Sequence, residues 1–174
     1  MSFAAYAAPQ QERHSDEIER MLADKGLIGQ LDQVRQTVTD RTSELVVTAI
    51  GFLGVPYRKG GNTAESGFDC SGFVRAMYNQ TVGLVLPRRA VEQAAATQPV
   101  AQADLKPGDL VFFNTMRRAF SHVGIYVGEG KFIHSPRTGS QVRVEDMNGS
   151  YWQRRFDGAR RVQAAQGDAT KIGD

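Results

Sequence analysis

Between residues 40 and 98 the apolar positions recur with the period of a helix, whereas after residue 105 they contract into short runs rich in β-formers. Leu45, Val46, Ala49, Ile50 and Leu53 share one face of a predicted helix that begins at Asp40 and stops at Gly54, with Pro56 just beyond. The glycine-rich polar stretch from Tyr57 to Gly67 reads as a loop. Asp69 is a good N-cap residue, which places Cys70 at the first position of a second helix carrying Phe73, Val74, Met77 and Tyr78. Leu86-Pro87 is expected to open a third helix, through Val91 and Ala94 to Gln98, and Pro99 to stop it. After the turn Leu105 to Asp109, strands are predicted at Leu110 to Phe113, His122 to Val127, Lys131 to His134, Gln141 to Val144 and Phe156 to Val162. Helices first and a strand meander afterwards predict an α+β fold, with helices packed on an antiparallel sheet of about five strands.

Residues 43–162 therefore read as one domain. Residues 1–42 are expected to form an arm with one short helix, Asp16 to Lys25, and residues 163–174 lose apolar periodicity and read as a disordered tail. The 174-residue chain is 41% hydrophobic and 23% charged, an ordinary globular composition. Its net charge of +2 is too balanced to argue for a nucleic-acid partner. No run approaches the about 18 apolar residues of a membrane span; the longest, Leu45 to Val55, is broken by Thr48, Gly51 and Gly54. Ala5-Tyr6-Ala7 has the small-x-small pattern of a signal-peptidase site, without the charged start and apolar core that precede one.

A single cysteine excludes an internal disulfide and any zinc site built on two thiolates. A lone cysteine is commonly a small buried hydrophobe, but a helix N-terminus after a glycine-rich loop is also where unpaired N–H groups stabilise a nucleophilic thiolate. On that basis the Cys70 thiol is expected to be acidic and to alkylate faster than a free thiol at pH 6. His14 lies in the polar arm, which leaves His122 and His134 as candidate bases. If Glu129 centres the turn between their strands, paired residue numbers sum to 258, and His134 faces Gly124 with His122 diagonal to it. Both imidazoles then emerge on the face of Tyr126 and Phe132, opposite Val123, Ile125, Val127 and Ile133; a one-residue slip would separate them. The inferred triad is Cys70 as nucleophile, His122 as base and His134 as the group orienting that base. A Cys-His-His metal site competes weakly, since no ligand pair has HxxxH or CxxC spacing, and no metal or cofactor is expected.

Four blocks, Leu53-Gly54-Val55-Pro56-Tyr57 with Gly60-Gly61, Gly67-Phe68-Asp69-Cys70-Ser71-Gly72-Phe73-Val74, Leu105 to Phe113, and His122 to Gly128 with Phe132-Ile133-His134, resemble the NlpC-type papain-like cell-wall peptidases in content and order. The resemblance implies a papain-like core and a Cys70, His122, His134 triad. It also implies hydrolysis of peptidoglycan stem peptides, typically between D-glutamate and the diamino acid. Tyr57 would lend its hydroxyl to the oxyanion hole, and Asp69, Ser71 and Arg88 would contact substrate. The sequence departs from the family where Leu86-Pro87-Arg88-Arg89 leads into Ala90 rather than serine. A substrate of this kind implies export to the periplasm or cell envelope. A wall-peptide binding module without turnover, and an amidase or acyltransferase using the same triad, are the alternatives.

Overall fold

The structure, a computed structural model, describes residues 41–163. The predicted arm and its helix, the Ala5-Tyr6-Ala7 pattern, His14 and the tail from residue 164 onward lie outside the described residues.

Helix α1 covers residues 41–51. Leu45 and Ala49 are buried, but Ile50 and Leu53 are 46% and 45% exposed, so the buried stripe is narrower than the periodicity predicts. A turn follows, in which the Gly54 N–H donates to the Val142 carbonyl at 3.0 Å. Within the expected loop, β1 (Asn62–Thr63) pairs with β2 (Gly67–Phe68) in a two-stranded ladder. Helix α2 spans Cys70–Val82; the Asp69 side chain accepts from the Gly72 N–H at its start, and Gly83 closes it with φ +73°.

The third helix differs from expectation. Helix α3 is only Ala90–Ala95, short of the expected end at Gln98, and Gln98–Val100 forms strand β3. Pro99 is tolerated there because β3 is the edge strand of the sheet, where one row of N–H groups needs no partner. A 3₁₀ turn, Gln102–Asp104, leads into β4 (Leu110–Phe113), β5 (His122–Gly128), β6 (Lys131–His134) and β7 (Arg143–Asp146). A short helix α4 (Ser150–Gln153) and β8 (Phe156–Arg161) complete the described chain. The main sheet has six strands in the order β3-β8-β4-β5-β6-β7, one more than predicted, and every pairing is antiparallel. The fold is α+β, as predicted.

Period-two alternation gives this sheet two apolar faces. On one side Leu110, Phe112, Val123, Ile125 and Ile133 pack against Phe68, Phe73, Val74 and Met77 of β2 and α2. On the other, Val111, Phe113, Phe132 and Ala159 pack against Met147 and Trp152. Full burial of each large side chain contributes about 1.5–3 kcal/mol. Among the described residues no helix is long and apolar enough to cross a membrane.

Candidate active site

Cys70 owes its position to the contact between the start of α2 and the loop before it. A side-chain carbon on Gly72 would lie 2.1 Å from the Gly61 carbonyl oxygen, so only glycine lets the two backbones approach this closely. Asp69 accepts from the N–H of Gly72 at 2.7 Å and of Gly60 at 3.0 Å, binding loop and helix together. Arg88 clasps the same carboxylate through both terminal nitrogens, at 3.0 and 2.7 Å, and donates to the Ser71 hydroxyl at 3.0 Å.

The β5-β6 hairpin has the predicted register: Ile125 faces Ile133 and Tyr126 faces Phe132, with a bulge at Gly128. His122 and His134 consequently share a face. His122 Nε2 lies 2.7 Å from His134 Nδ1, with the rings edge to face. Gly124 makes this meeting possible, because a β-carbon there would come within 2.7 Å of the Phe132 ring and 3.1 Å of the His134 β-carbon. Beyond the predicted pair, His134 Nε2 lies 2.5 Å from Glu145 Oε2. Arg143 Nε donates to the same oxygen at 3.0 Å, Trp152 Nε1 donates to Oε1 at 3.4 Å, and the indole stacks on His122.

Cys70, His122 and Tyr57 line one cavity of about 600 Å³, together with Lys59, Arg137 and Trp152. Of the His122 nitrogens, Nε2 is engaged by His134, which leaves Nδ1 for the chemistry of the cavity. Asp69, Ser71 and Arg88 are not among its lining residues. They form their own hydrogen-bonded cluster beside the cysteine. Among the described residues no group of three or more His, Cys, Asp or Glu side chains could hold a metal ion.

The surroundings of the thiol act against the expected acidity. Burial, and then the Asp69 carboxylate, push Cys70 up to about 11, outweighing the backbone N–H groups of Val123, Ser71 and Cys70 that pull it down. The helix N-terminus alone does not make a thiolate here. Burial also lowers His122 well below its ordinary value, with the neighbouring His134 adding to the effect. His134 is lowered by burial, against the pull of Glu145. For Cys70 and His122 both shifts favour the uncharged forms, thiol and imidazole, over the charged ones. Tyr57 is raised by burial and by Cys70, so its hydroxyl keeps its proton and can donate it in a hydrogen bond.

Glu145, Arg143 and Trp152 were missed by the sequence reading. The predicted strand Gln141 to Val144 ends one residue before Glu145, whereas β7 is Arg143–Asp146, with His134 opposite Arg143 and Phe132 opposite Glu145. Arg143-x-Glu145 at period two beside the histidine face was the available signal.

The NlpC/P60 family profile matches residues 54–161, which include Tyr57, Cys70, His122 and His134. The chain belongs to the NlpC/P60 family. A murein DD-endopeptidase, MepH, of Escherichia coli (strain K12) is 48% identical over 113 residues, covering 63% of this chain and 42% of that protein. A gamma-DL-glutamyl hydrolase of Bacillus subtilis (strain 168) is 42% identical over 118 residues, covering 67% of this chain and 28% of its own length. The chain thus matches less than half the length of either relative. An NlpC/P60 family protein from Bacillus cereus superposes with a TM-score of 0.65 at 35% identity, covering 69% of this chain and 39% of that one. NlpC/P60 membership and the α+β architecture agree with the resemblance read from the four sequence blocks.

Proposed function

We propose that residues 43–162 form a cysteine peptidase domain that hydrolyses peptidoglycan stem peptides at the bond between D-glutamate and the diamino acid. The observation that carries this is the placing of Cys70 and His122 in one cavity, with His122 Nε2 held by His134. His122 Nδ1 takes the Cys70 proton as the sulfur attacks the scissile carbonyl carbon. The carbonyl oxygen becomes an oxyanion, received by the Cys70 N–H at the helix start and the Tyr57 hydroxyl. The protonated His122 then gives its proton to the leaving amine, and a thioester remains on Cys70. Water, deprotonated by the same Nδ1, hydrolyses it and restores the thiol. Asp69, Ser71 and Arg88 adjoin the cavity, so their first task is to hold the Cys70 turn; substrate contact from this cluster falls to Arg88, whose side chain is 34% exposed.

The names of the two relatives point to different bonds, a DD-peptide bond and a glutamyl bond. Incubation with purified muropeptides, followed by mass spectrometry of the products, decides between them, with Cys70→Ala as control. Cleavage at the D-glutamyl bond by the wild type alone supports the proposal; cleavage only at a DD cross-link moves it to that bond; binding without products overturns turnover. A polymeric wall substrate lies outside the cytoplasmic membrane, so the proposal includes export to the periplasm or envelope. Cell fractionation tests that part, and unprocessed protein confined to the cytosol would refute it.

A further inference from the structure

We propose that Glu145 is a positioning residue for the Cys70–His122 pair: by accepting a hydrogen bond from His134 it dictates which nitrogen of each imidazole carries a proton, and it supports the charge that His122 acquires during turnover. The inference rests on the proposed Cys70–His122 pairing and extends it by two links.

The direction of the chain follows from donor and acceptor inventory. An ionised carboxylate only accepts, so His134 Nε2 must be the protonated nitrogen facing Glu145 Oε2 at 2.5 Å. In a neutral imidazole the other nitrogen, His134 Nδ1, is then the acceptor, and His122 Nε2 must donate to it across 2.7 Å. That leaves the lone pair of His122 on Nδ1, the nitrogen left free to take the Cys70 proton. Reversing the Glu145 bond would place a hydrogen on Nδ1 and abolish the base. Glu145 is itself held in the accepting state. Its bonds from His134 and Arg143 lower it to about 2, and Trp152 Nε1 donates to its second oxygen.

The charges facing this relay come from β7 and from the cavity walls. Around His134 stand Glu145 and Arg143 from β7 and His122 from β5; α4 contributes the uncharged Trp152. Around His122 stand His134, Glu145 and the cavity, whose lining carries Cys70 and the cations Lys59, Arg137 and Arg143. Arg143 opposes protonation of His134, so Glu145 is the anion among these groups that favours a cation on either imidazole. Both rings are buried, with His134 wholly inaccessible, so solvent cannot substitute for that anion.

The test compares wild type, Glu145→Gln, Glu145→Ala and His122→Ala in two assays: kcat and KM on a muropeptide, and the rate of Cys70 alkylation by iodoacetamide from pH 4 to 9. Glutamine is isosteric and can still accept from His134, but it carries no charge. Its expected effect is a fall in kcat of about 10–100-fold, the span of a charge-assisted hydrogen bond, with KM within about threefold of wild type. The acid limb of both profiles should move to lower pH, because the carboxylate that favoured the protonated state is gone. Alanine should lose more kcat, since orientation is lost as well. An acid limb that coincides with wild type in Glu145→Gln, or a kcat within threefold, overturns the proposal even if activity in Glu145→Ala is low. The alkylation arm needs no substrate, which separates the two readings. Wild-type alkylation in His122→Ala would defeat the Cys70–His122 pairing itself. Slow alkylation in His122→Ala beside an unmoved Glu145→Gln profile defeats only the role of Glu145.

Discussion

Gly124→Ala probes the meeting of the two histidines without touching either. The new β-carbon would lie 2.7 Å from the Phe132 ring, 3.0 Å from the Ile133 carbonyl oxygen and 3.1 Å from the His134 β-carbon. Carbon atoms rest at about 3.5–4.0 Å, so β6 must retreat from β5 by roughly 0.5–1 Å or its side chains must leave their rotamers. Overpacking of this kind costs about 1–3 kcal/mol. The His122–His134 bond, now 2.7 Å, would pass the roughly 3.2 Å at which N–H bonds weaken, and the relay from Glu145 would open at its middle. The expected result is a lower Tm together with a loss of turnover of about 10–100-fold, part of the about 10²–10⁴-fold span of general base catalysis. Thermal unfolding followed by circular dichroism and muropeptide turnover by chromatography measure the two effects separately. Gly51→Ala is the control, because nothing lies within 4 Å of a β-carbon there and the site is at the end of α1; it should leave turnover unchanged and Tm equal or higher. Wild-type Tm and turnover in Gly124→Ala would refute the view that strand spacing at this position holds the histidines together.

Two further outcomes follow from the electrostatics of the cavity. Burial and the Asp69 carboxylate, which hold the Cys70 thiol at about 11, do not involve His122, so removing His122 takes away the proton acceptor and leaves about 10⁻⁴ of the sulfur as thiolate at pH 7, against about 3% of a free cysteine. The more basic thiolate is the better nucleophile by about 10–18-fold, so His122→Ala should alkylate roughly 20–30-fold more slowly than a free thiol at pH 7, and a rate equal to free cysteine would show that burial does not control the sulfur. Acid stability follows from the same burial. His122 and His134 have folded values below their ordinary 6.5, so the unfolded chain binds more protons, and their neutral forms lose stability as pH falls below about 6.5. Glu145 is depressed to about 2 from 4.5, so its contribution is complete above about 4.5 and is lost as pH falls from there towards 2. Tm should decline first between pH 7 and 5, from the histidines, and further below pH 4.5; a flat Tm from pH 7 to 5 would contradict the neutral buried pair.

What could be read from the chain was local in range. Asp69 ahead of an apolar helical pattern suffices to put Cys70 on the first turn, because the cap, the unpaired N–H groups and the side chain lie within four residues. The hairpin register was legible for a similar reason: Gly128 and Gly130 bracket Glu129, and period two then settles which side chains share a face with His122. Strand β3 was missed, and Gln98 taken as the helix end, because Gln98-Pro99-Val100 has little strand character of its own and is extended by pairing with β8, some 60 residues later. Glu145 escaped because its meaning lies across β6, in a partner chosen by the sheet. The environment of the thiol was illegible for a deeper reason. A helix N-terminus is a property of sequence, whereas the surroundings of the sulfur depend on everything packed around it, and here burial and the turned-in Asp69 carboxylate prevail. Which residues meet within one turn or one hairpin follows from their spacing along the chain; which charges stand beside them and how much water remains depends on packing between distant segments, and those two quantities set where a proton rests.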